Sequence, residues 1–314
     1  MLRHRVIFVA GKGGTGKSTV AAALALLAAR DGKRVLAVDV DAKGDLAAAL
    51  GATKAGFKPL VVQPGISAIT LQAEESFQEY LSLYFKVPRL ARLTPLARVF
   101  DFIATGVPGP RDMLVVGKIA YEERRRQANG RPVWDVIVVD AAASGQVVSH
   151  LTAARSLLTL VKGGMISAQV KWVDELIRDH ARTTVALCAL PQEMPVVEAI
   201  ELNERLRTDA GVAVDLCVLN RMMPMHVTAT QLRVARAMSD DAHAVRVRER
   251  LGGPPQPLVL ALEIAAELWQ SGVARARQLR ADVRVPVVEV PLIVARAGLA
   301  TSRGVAEAID KETG

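Results

Sequence analysis

The sequence contains few aromatic residues and few cysteines. Only 4% of its 314 residues are Phe, Trp or Tyr, although 51% are hydrophobic, so any core must consist mainly of Ala, Val and Leu. Cys188 and Cys217 each lie in an apolar, strand-like run and form no C-x-x-C pair. This spacing excludes a cysteine-based zinc or iron–sulfur site. We therefore expect two buried thiols and a reducing, cytoplasmic environment.

Long hydrophobic runs are absent as well. The longest, Val20 to Ala29, is too short to span a bilayer, and the apolar N-terminal stretch ends in a glycine-rich loop rather than in a signal-peptide cleavage site. We expect a soluble protein with no transmembrane segment. The formal net charge is +8, but no aromatic residues are interleaved with the basic ones, so nucleic-acid binding is not expected.

The most informative run that is present lies between an apolar strand, Val6 to Val9, and an Ala/Leu-rich helix, Ser18 to Arg30. This run fits the phosphate-binding pattern G-x-x-x-x-G-K-[ST] and reads Gly11-Lys12-Gly13-Gly14-Thr15-Gly16-Lys17-Ser18-Thr19. Glycines let backbone amides face phosphate oxygens, a lysine reaches the β- and γ-phosphates, and a hydroxyl ligates Mg²⁺. The sequence therefore predicts an ATP site with Lys17 and Ser18 in these two roles. A chance glycine-rich turn is the alternative.

Acidic residues follow two of the predicted strands. Asp140 follows Val136 to Val139, where a carboxylate can bind Mg²⁺, and Asp39 and Asp41 follow Val35 to Val38. We predict that Asp140 and Asp39 contribute to the metal site and that Asp41 orients or deprotonates the attacking water. The alternative is that these acids cap turns or helices. The small residues from Ala141 to Gln146 predict a flexible loop that senses the γ-phosphate.

Continuous apolar runs alternate with helical patterns along the chain. Runs without polar alternation are typical of parallel strands that are covered on both faces. We predict an α/β fold with a doubly wound, mostly parallel sheet, and strands at 6–9, 34–40, 134–140, 185–189, 216–220 and 287–290. One phosphate loop implies one ATPase domain over residues 1–314.

Two helical stretches interrupt this pattern, at about 74–128 and 226–281. We predict that both are insertions which form one helical subdomain. Phe77, Leu81, Tyr84 and Phe85 fall on one helical face, and Met222, Met223 and Met225 offer adaptable apolar contacts. These residues either pack on the domain itself or form a groove for a client.

The lysine at the front of the loop, Lys12, extends the pattern to x-K-G-G-x-G-K-[ST]. The chain therefore resembles the deviant P-loop ATPases, in which this lysine reaches the nucleotide of the partner subunit. Within them it resembles the arsenite-pump and tail-anchored-protein targeting ATPases and their actinobacterial relatives. The resemblance covers the loop from Gly11 to Thr19, Asp41 with Leu46, Asp140 with Ser144 and Gly145, and Leu190 to Met194 followed by Glu198.

The resemblance implies further roles and partners. Asn220 resembles the family's adenine-binding Asn, and Pro291 and Leu292 resemble the other wall of the base pocket. Lys12 would be catalytic, acting across a homodimer or a heterodimer with a related ATPase; the alternative is a solvated lysine of the loop. The implied function is an ATP-driven switch that binds a protein or membrane-protein client.

Several family features are missing. The two switch segments, Asp41 to Asp45 and Asp140 to Gln146, lack the family's usual Pro and His residues. The arsenite-binding cysteine cluster and the zinc-binding C-x-x-C are absent too, so arsenite pumping is not expected. Two alternatives to the switch remain: a spatial-organising ATPase of the septum-site or plasmid-partition type, and a slowly hydrolysing half of a heterodimer.

Overall fold

A computed structural model describes residues 1–40, 44–72, 75–76, 79, 110–161, 163–239, 241–295 and 297–313. In these ranges the chain forms one eight-stranded sheet in the order β3-β4-β2-β5-β1-β6-β7-β8. The strands are β1 (Val6–Gly11), β2 (Val35–Asp39), β3 (Leu60–Gln63), β4 (Ile66–Thr70), β5 (Val136–Ala143), β6 (Thr183–Ala189), β7 (Val214–Met222) and β8 (Val287–Pro291). All neighbours pair in parallel except β3 and β4, which are antiparallel.

Helices connect these strands and cover both faces of the sheet. They are α1 (Lys17–Arg30), α2 (Asp45–Ala49), α3 (Pro110–Arg124), α4 (Ser144–Leu160), α5 (Gly164–Arg178), α6 (Glu193–Arg205), α7 (Ala229–Ala237), α8 (Asp241–Leu251), α9 (Gln256–Val283) and α10 (Leu299–Thr313). A π-helical turn, Leu206–Ala210, extends α6. The doubly wound α/β fold predicted from the alternating runs is thus confirmed.

Two hydrophobic clusters lie on opposite faces of the sheet. One is covered by α1, α2 and α10, and the other by α3 to α6 and the end of α9. On α1 five of the nine buried residues are alanines: Ala21, Ala22, Ala23, Ala25 and Ala28. Small side chains let a helix approach the sheet and a neighbouring helix closely, and α10 packs along α1. The helix that follows the phosphate loop is therefore held from two sides.

Part of each predicted insertion packs against the sheet. Val116 and Ile119 of α3 are buried in the cluster that α3 to α6 cover, as is Leu279 near the end of α9. A third, smaller cluster joins Val227 to Ala265 and Ala266 at the start of α9. The predicted stripe of Phe77, Leu81, Tyr84 and Phe85 lies outside the described residues.

The sequence predicted six of the strands and missed β3 and β4. Both strands are short, so neither forms a long apolar run in the sequence. In addition, β3 lies at the edge of the sheet, where Val61 is 73% exposed. The flexible loop predicted from Ala141 to Gln146 is wrong. The strand β5 continues through Ala143 and α4 begins at Ser144, because small residues suit a buried strand end as well as a loop.

Among the described residues, no helix is both long enough and apolar enough to cross a lipid bilayer.

Candidate active site

The glycine-rich loop connects the end of β1 to the start of α1. Gly16 precedes the helix in a left-handed conformation, with φ of 95°, and no side chain caps the helix. A Cβ on Gly16 would lie 2.4 Å from Nδ2 of Asn220, and one on Gly11 would lie 2.1 Å from the carbonyl oxygen of Cys188. Both contacts are too short for any residue but glycine. The loop therefore rests directly on the ends of two other strands.

Two side chains from those strands fix the back of the loop. The amide of Asn220 donates to the carbonyl of Thr15 at 2.9 Å, and the thiol of Cys188 donates to the same carbonyl at 3.3 Å. Thr15 is itself 1% exposed. On the other side, a Cβ on Gly13 or Gly14 would meet nothing within 4 Å. The loop is thus rigid behind and open in front, which fits a cradle for phosphates.

Both lysines of the loop are engaged within the chain. Lys17 is buried, and its Nζ donates to the carbonyl oxygen of Lys12 at 3.3 Å. The ammonium group of Lys12 forms an ion pair with the carboxylate of Glu198 on α6. Thr15 also donates to the Lys12 carbonyl, through its hydroxyl at 2.9 Å. The loop therefore holds its cations close to the position where phosphates would lie.

The predicted metal-binding carboxylates lie side by side. Asp39 and Asp140 are register partners on the adjacent strands β2 and β5, and they are 3% and 6% exposed. Asp39 accepts a hydrogen bond from the amide of Gly44 at 3.1 Å. Ser18 lies in the first turn of α1, at the same edge of the sheet. Oxygen donors of this kind are the ligands that Mg²⁺ prefers. Asp41 lies outside the described residues.

The residues predicted for the base pocket lie at the ends of β7 and β8. Asn220 is 4% exposed, and the carbonyl of Met222 accepts a hydrogen bond from the amide of Leu292 at 2.8 Å. Met222 pairs with Pro291 across an irregularity in the two strands. Of the three methionines considered for a client surface, Met222 is buried at 6% and Met225 is exposed at 44%.

Sequence reasoning gave Glu198, Cys188 and Arg221 no role at this site. Arg221 directly follows Asn220 and has a φ of 61°, a conformation that is uncommon for residues other than glycine. Burial raises the pKa of the Cys188 thiol to about 12, so it supports the loop as a neutral thiol. No local sequence pattern predicts the contacts of Glu198 and Cys188, because they depend on the order β1-β6-β7 in the sheet.

Comparisons with known proteins agree with this geometry. The family profile described as anion-transporting ATPase, of the ArsA type, matches residues 4–165. ATPase BagA of Mycobacterium tuberculosis is 32% identical over 300 residues, which are 92% of this chain and 87% of that protein. The chain belongs to this ATPase family.

Other relatives of the family are more distant. The putative arsenical pump-driving ATPase 2 of Aquifex aeolicus is 29% identical over 250 residues, 70% of this chain and 81% of that protein. The ATPase get3 of Schizosaccharomyces japonicus is 28% identical over 148 residues, 46% of this chain and 42% of that protein. Membership of the family makes the chain an ATP hydrolase with a nucleotide as its substrate, as the loop predicted.

Proposed function

We propose that this chain is a Mg²⁺-dependent ATPase which works as a dimeric switch. The observation that carries this proposal is the rigid glycine loop beside two buried, in-register carboxylates, Asp39 and Asp140. A phosphate cradle and a pair of acidic strand ends are the two parts that phosphoryl transfer to water requires.

Each predicted site residue would have a separate role in hydrolysis. The amides of Gly13 to Lys17 would bind the phosphates, and Lys17 would neutralise charge on the transferred group. Ser18, Asp140 and Asp39 would hold Mg²⁺, which when bound supplies further positive charge at the phosphates. Asp41 would orient the attacking water, and Asn220, Pro291 and Leu292 would bind the base.

The dimer is part of the proposal because of Lys12. This residue is 41% exposed at the mouth of the loop, so its side chain is accessible from outside the subunit. In the family it resembles, this lysine completes the site of the partner subunit, and positive charge supplied in trans is an established means of stabilising phosphoryl transfer.

A client surface would lie on α9. Leu260, Ile264 and Leu268 follow each other at four-residue intervals, and they are 57%, 48% and 53% exposed. A neighbouring groove of about 340 Å³ lies between α7 and α9 and is lined by Met225, Val234, Met238 and Leu262 among others. Contiguous exposed apolar side chains mark interaction sites more often than chance exposure does. We propose that this surface, with the rest of the inserted helices, binds a protein or membrane-protein client.

The experiment that tests the enzyme is ATP hydrolysis by the purified protein beside Lys12→Ala and Asp41→Asn. Mass measurement by light scattering, with and without ATP and Mg²⁺, tests the dimer. We expect ATP-dependent dimers and at least a hundredfold loss of kcat in both variants, since one removes charge and the other removes the water-orienting group. A monomer that binds ATP and hardly hydrolyses it would contradict the homodimer and favour a heterodimer with a related ATPase.

A further inference from the structure

The ion pair between Lys12 and Glu198 joins the phosphate loop to a helix of the same subunit. Glu198 lies in the second turn of α6, and its side chain is 26% exposed. The helix reaches the loop because β6 pairs with β1 and α6 starts just after β6. The contact therefore follows from the sheet order.

This contact occupies a side chain that the reaction needs. The ammonium of Lys12 is bound to a carboxylate, and the ammonium of Lys17 is bound to the Lys12 carbonyl. Residue 12 thus anchors both cations of the loop. A bound phosphate carries more negative charge than a carboxylate and offers more acceptor oxygens, so it competes well for the same ammonium group.

Both partners are partly exposed, which makes the pair reversible. A half-exposed ion pair contributes little to stability, whereas a fully buried pair is costly to break. Lys12 can exchange Glu198 for a phosphate without unfolding the loop, because Thr15 stays fixed by Asn220 and Cys188. The geometry is therefore compatible with a lysine that is paired with Glu198 in one state and with a phosphate in another.

We propose that Glu198 is a positioning residue, which holds Lys12 in the nucleotide-free subunit and releases it when ATP binds. The proposal rests on the proposed ATPase function only for the use of Lys12 after its release. Glu198 acts only through Lys12. Its role is the same whether Lys12, once released, binds the nucleotide of its own subunit or that of a partner subunit.

The test compares Glu198→Gln with Glu201→Gln. Glu201 is an exposed acid on the same helix, so its substitution removes the same charge without removing the contact with Lys12. We expect the apparent KM for ATP to fall about threefold to fivefold in Glu198→Gln, the factor that a partly exposed ion pair is worth. The kcat should change less than twofold, and Glu201→Gln should match the wild type. A structural defect would instead lower kcat or raise KM.

A second readout needs no ATP hydrolysis. Acetylation of amines by a short pulse of N-hydroxysuccinimidyl acetate, followed by mass spectrometry of nucleotide-free protein, reports how freely Lys12 reacts. Lys12 should react severalfold faster in Glu198→Gln than in the wild type and in Glu201→Gln, while exposed Lys171 reacts equally in all three. Thermal unfolding of the three proteins confirms that they are folded.

The outcomes separate this inference from the function on which it rests. Equal Lys12 reactivity in all three proteins, or a Glu198→Gln variant that loses kcat at unchanged KM, overturns the role of Glu198. If Lys12 becomes more reactive but the wild type hydrolyses no ATP, the holding contact is supported and the ATPase function is overturned.

Discussion

At the scale of single residues, the phosphate loop depends on what lies behind it. Gly11 and Gly16 press against Cys188 and Asn220, whereas Gly13 and Gly14 face open space. The sequence motif does not distinguish these four glycines, because it describes phosphate binding and not the packing of the loop against the rest of the fold. The structure divides them into glycines needed for packing and glycines needed for the ligand.

This division predicts different effects for two matched substitutions. Gly11→Ala places a Cβ against backbone and should lower the free energy of unfolding by about 3 kcal/mol, through overpacking and backbone strain. Gly13→Ala meets nothing within 4 Å and should change it by less than about 1 kcal/mol. Urea unfolding without nucleotide measures both. Equal losses would mean that the back of the loop is not rigid.

The candidate site could be predicted only in part from the sequence. Lys17, Ser18, Asp39 and Asp140 belong to local patterns, and the structure places them at one edge of the sheet. The ion pair of Lys12 with Glu198 and the hydrogen bond from Cys188 to the loop join residues far apart in sequence. Local sequence patterns therefore cannot predict these two contacts. The catalytic roles, and Asp41 among them, stay predictions.

At the scale of elements, α3 is fixed to the sheet by buried charges. Glu122 is 1% exposed and accepts hydrogen bonds from Lys118 at 2.9 Å, Arg125 at 2.7 Å and the indole of Trp134 at 3.0 Å. The next residue, Glu123, pairs with Arg5 and Arg182. A buried carboxylate that is fully partnered fixes the position of its helix, and it is costly to remove because its partners stay behind.

The chain offers a matched comparison for this anchor. Glu122 with Arg125 and Glu204 with Arg207 are both pairs three residues apart, but the Glu side chains are 2% and 57% exposed. Glu122→Gln should lower the free energy of unfolding by about 3 kcal/mol, and Glu204→Gln by less than about 0.5 kcal/mol. Chemical unfolding at pH 7 measures both values.

The contribution of Glu122 should also depend on pH. Burial alone would raise the pKa of this carboxyl, but the hydrogen bond and charge of Lys118, with help from Trp134 and Arg125, hold it below its ordinary value. A lowered pKa in the folded state stabilises the protein above the unfolded pKa of about 4.3, and this stability is lost as the pH falls through the folded value. The gap between wild type and Glu122→Gln should therefore narrow below about pH 4. A constant gap would contradict the assignment.

The C-terminal end of α9 contains a strained residue whose replacement should have a small effect on stability. Arg284 follows the helix in a left-handed conformation, with φ of 54°, where glycine is the common residue. Arg284→Gly should raise the free energy of unfolding by about 0.5 kcal/mol, since relief of backbone strain outweighs the added freedom of the unfolded chain. Arg284→Ala keeps the strain and is the control, and it should show no gain in thermal or urea unfolding.

At the scale of the whole molecule, the order of the strands was less predictable than their number. Apolar runs located six of the eight strands, but β1 lies between β5 and β6, whose residues come more than 100 positions later. Such long-range pairing depends on how all helices pack, and a single sequence shows it only through resemblance. The edge strand β3 and its neighbour β4 were missed because both are short and lack the long apolar run of a central strand.

The burial of both cysteines in central strands predicts that their thiols are unreactive in the native protein. Cys188 on β6 and Cys217 on β7 are both buried, and burial raises the pKa of each. Neither should react with Ellman's reagent in the native state, because thiolates are the reactive species and central strands are exposed only when the sheet opens. In single-cysteine variants, Cys188→Ala and Cys217→Ala, the labelling rates should rise together with urea and follow global unfolding. Fast labelling of one thiol alone would reveal local opening.

The packing of α10 along α1 has a consequence for the order in which the domain folds. Arg30 of α1 donates two hydrogen bonds to Asp310 of α10, at 2.6 and 2.8 Å, although the two residues are 280 positions apart. Contacts between such distant segments cost more chain entropy than local ones, so we expect them to form late in folding. The full support of the helix that follows the phosphate loop therefore depends on the folding of the domain as a whole.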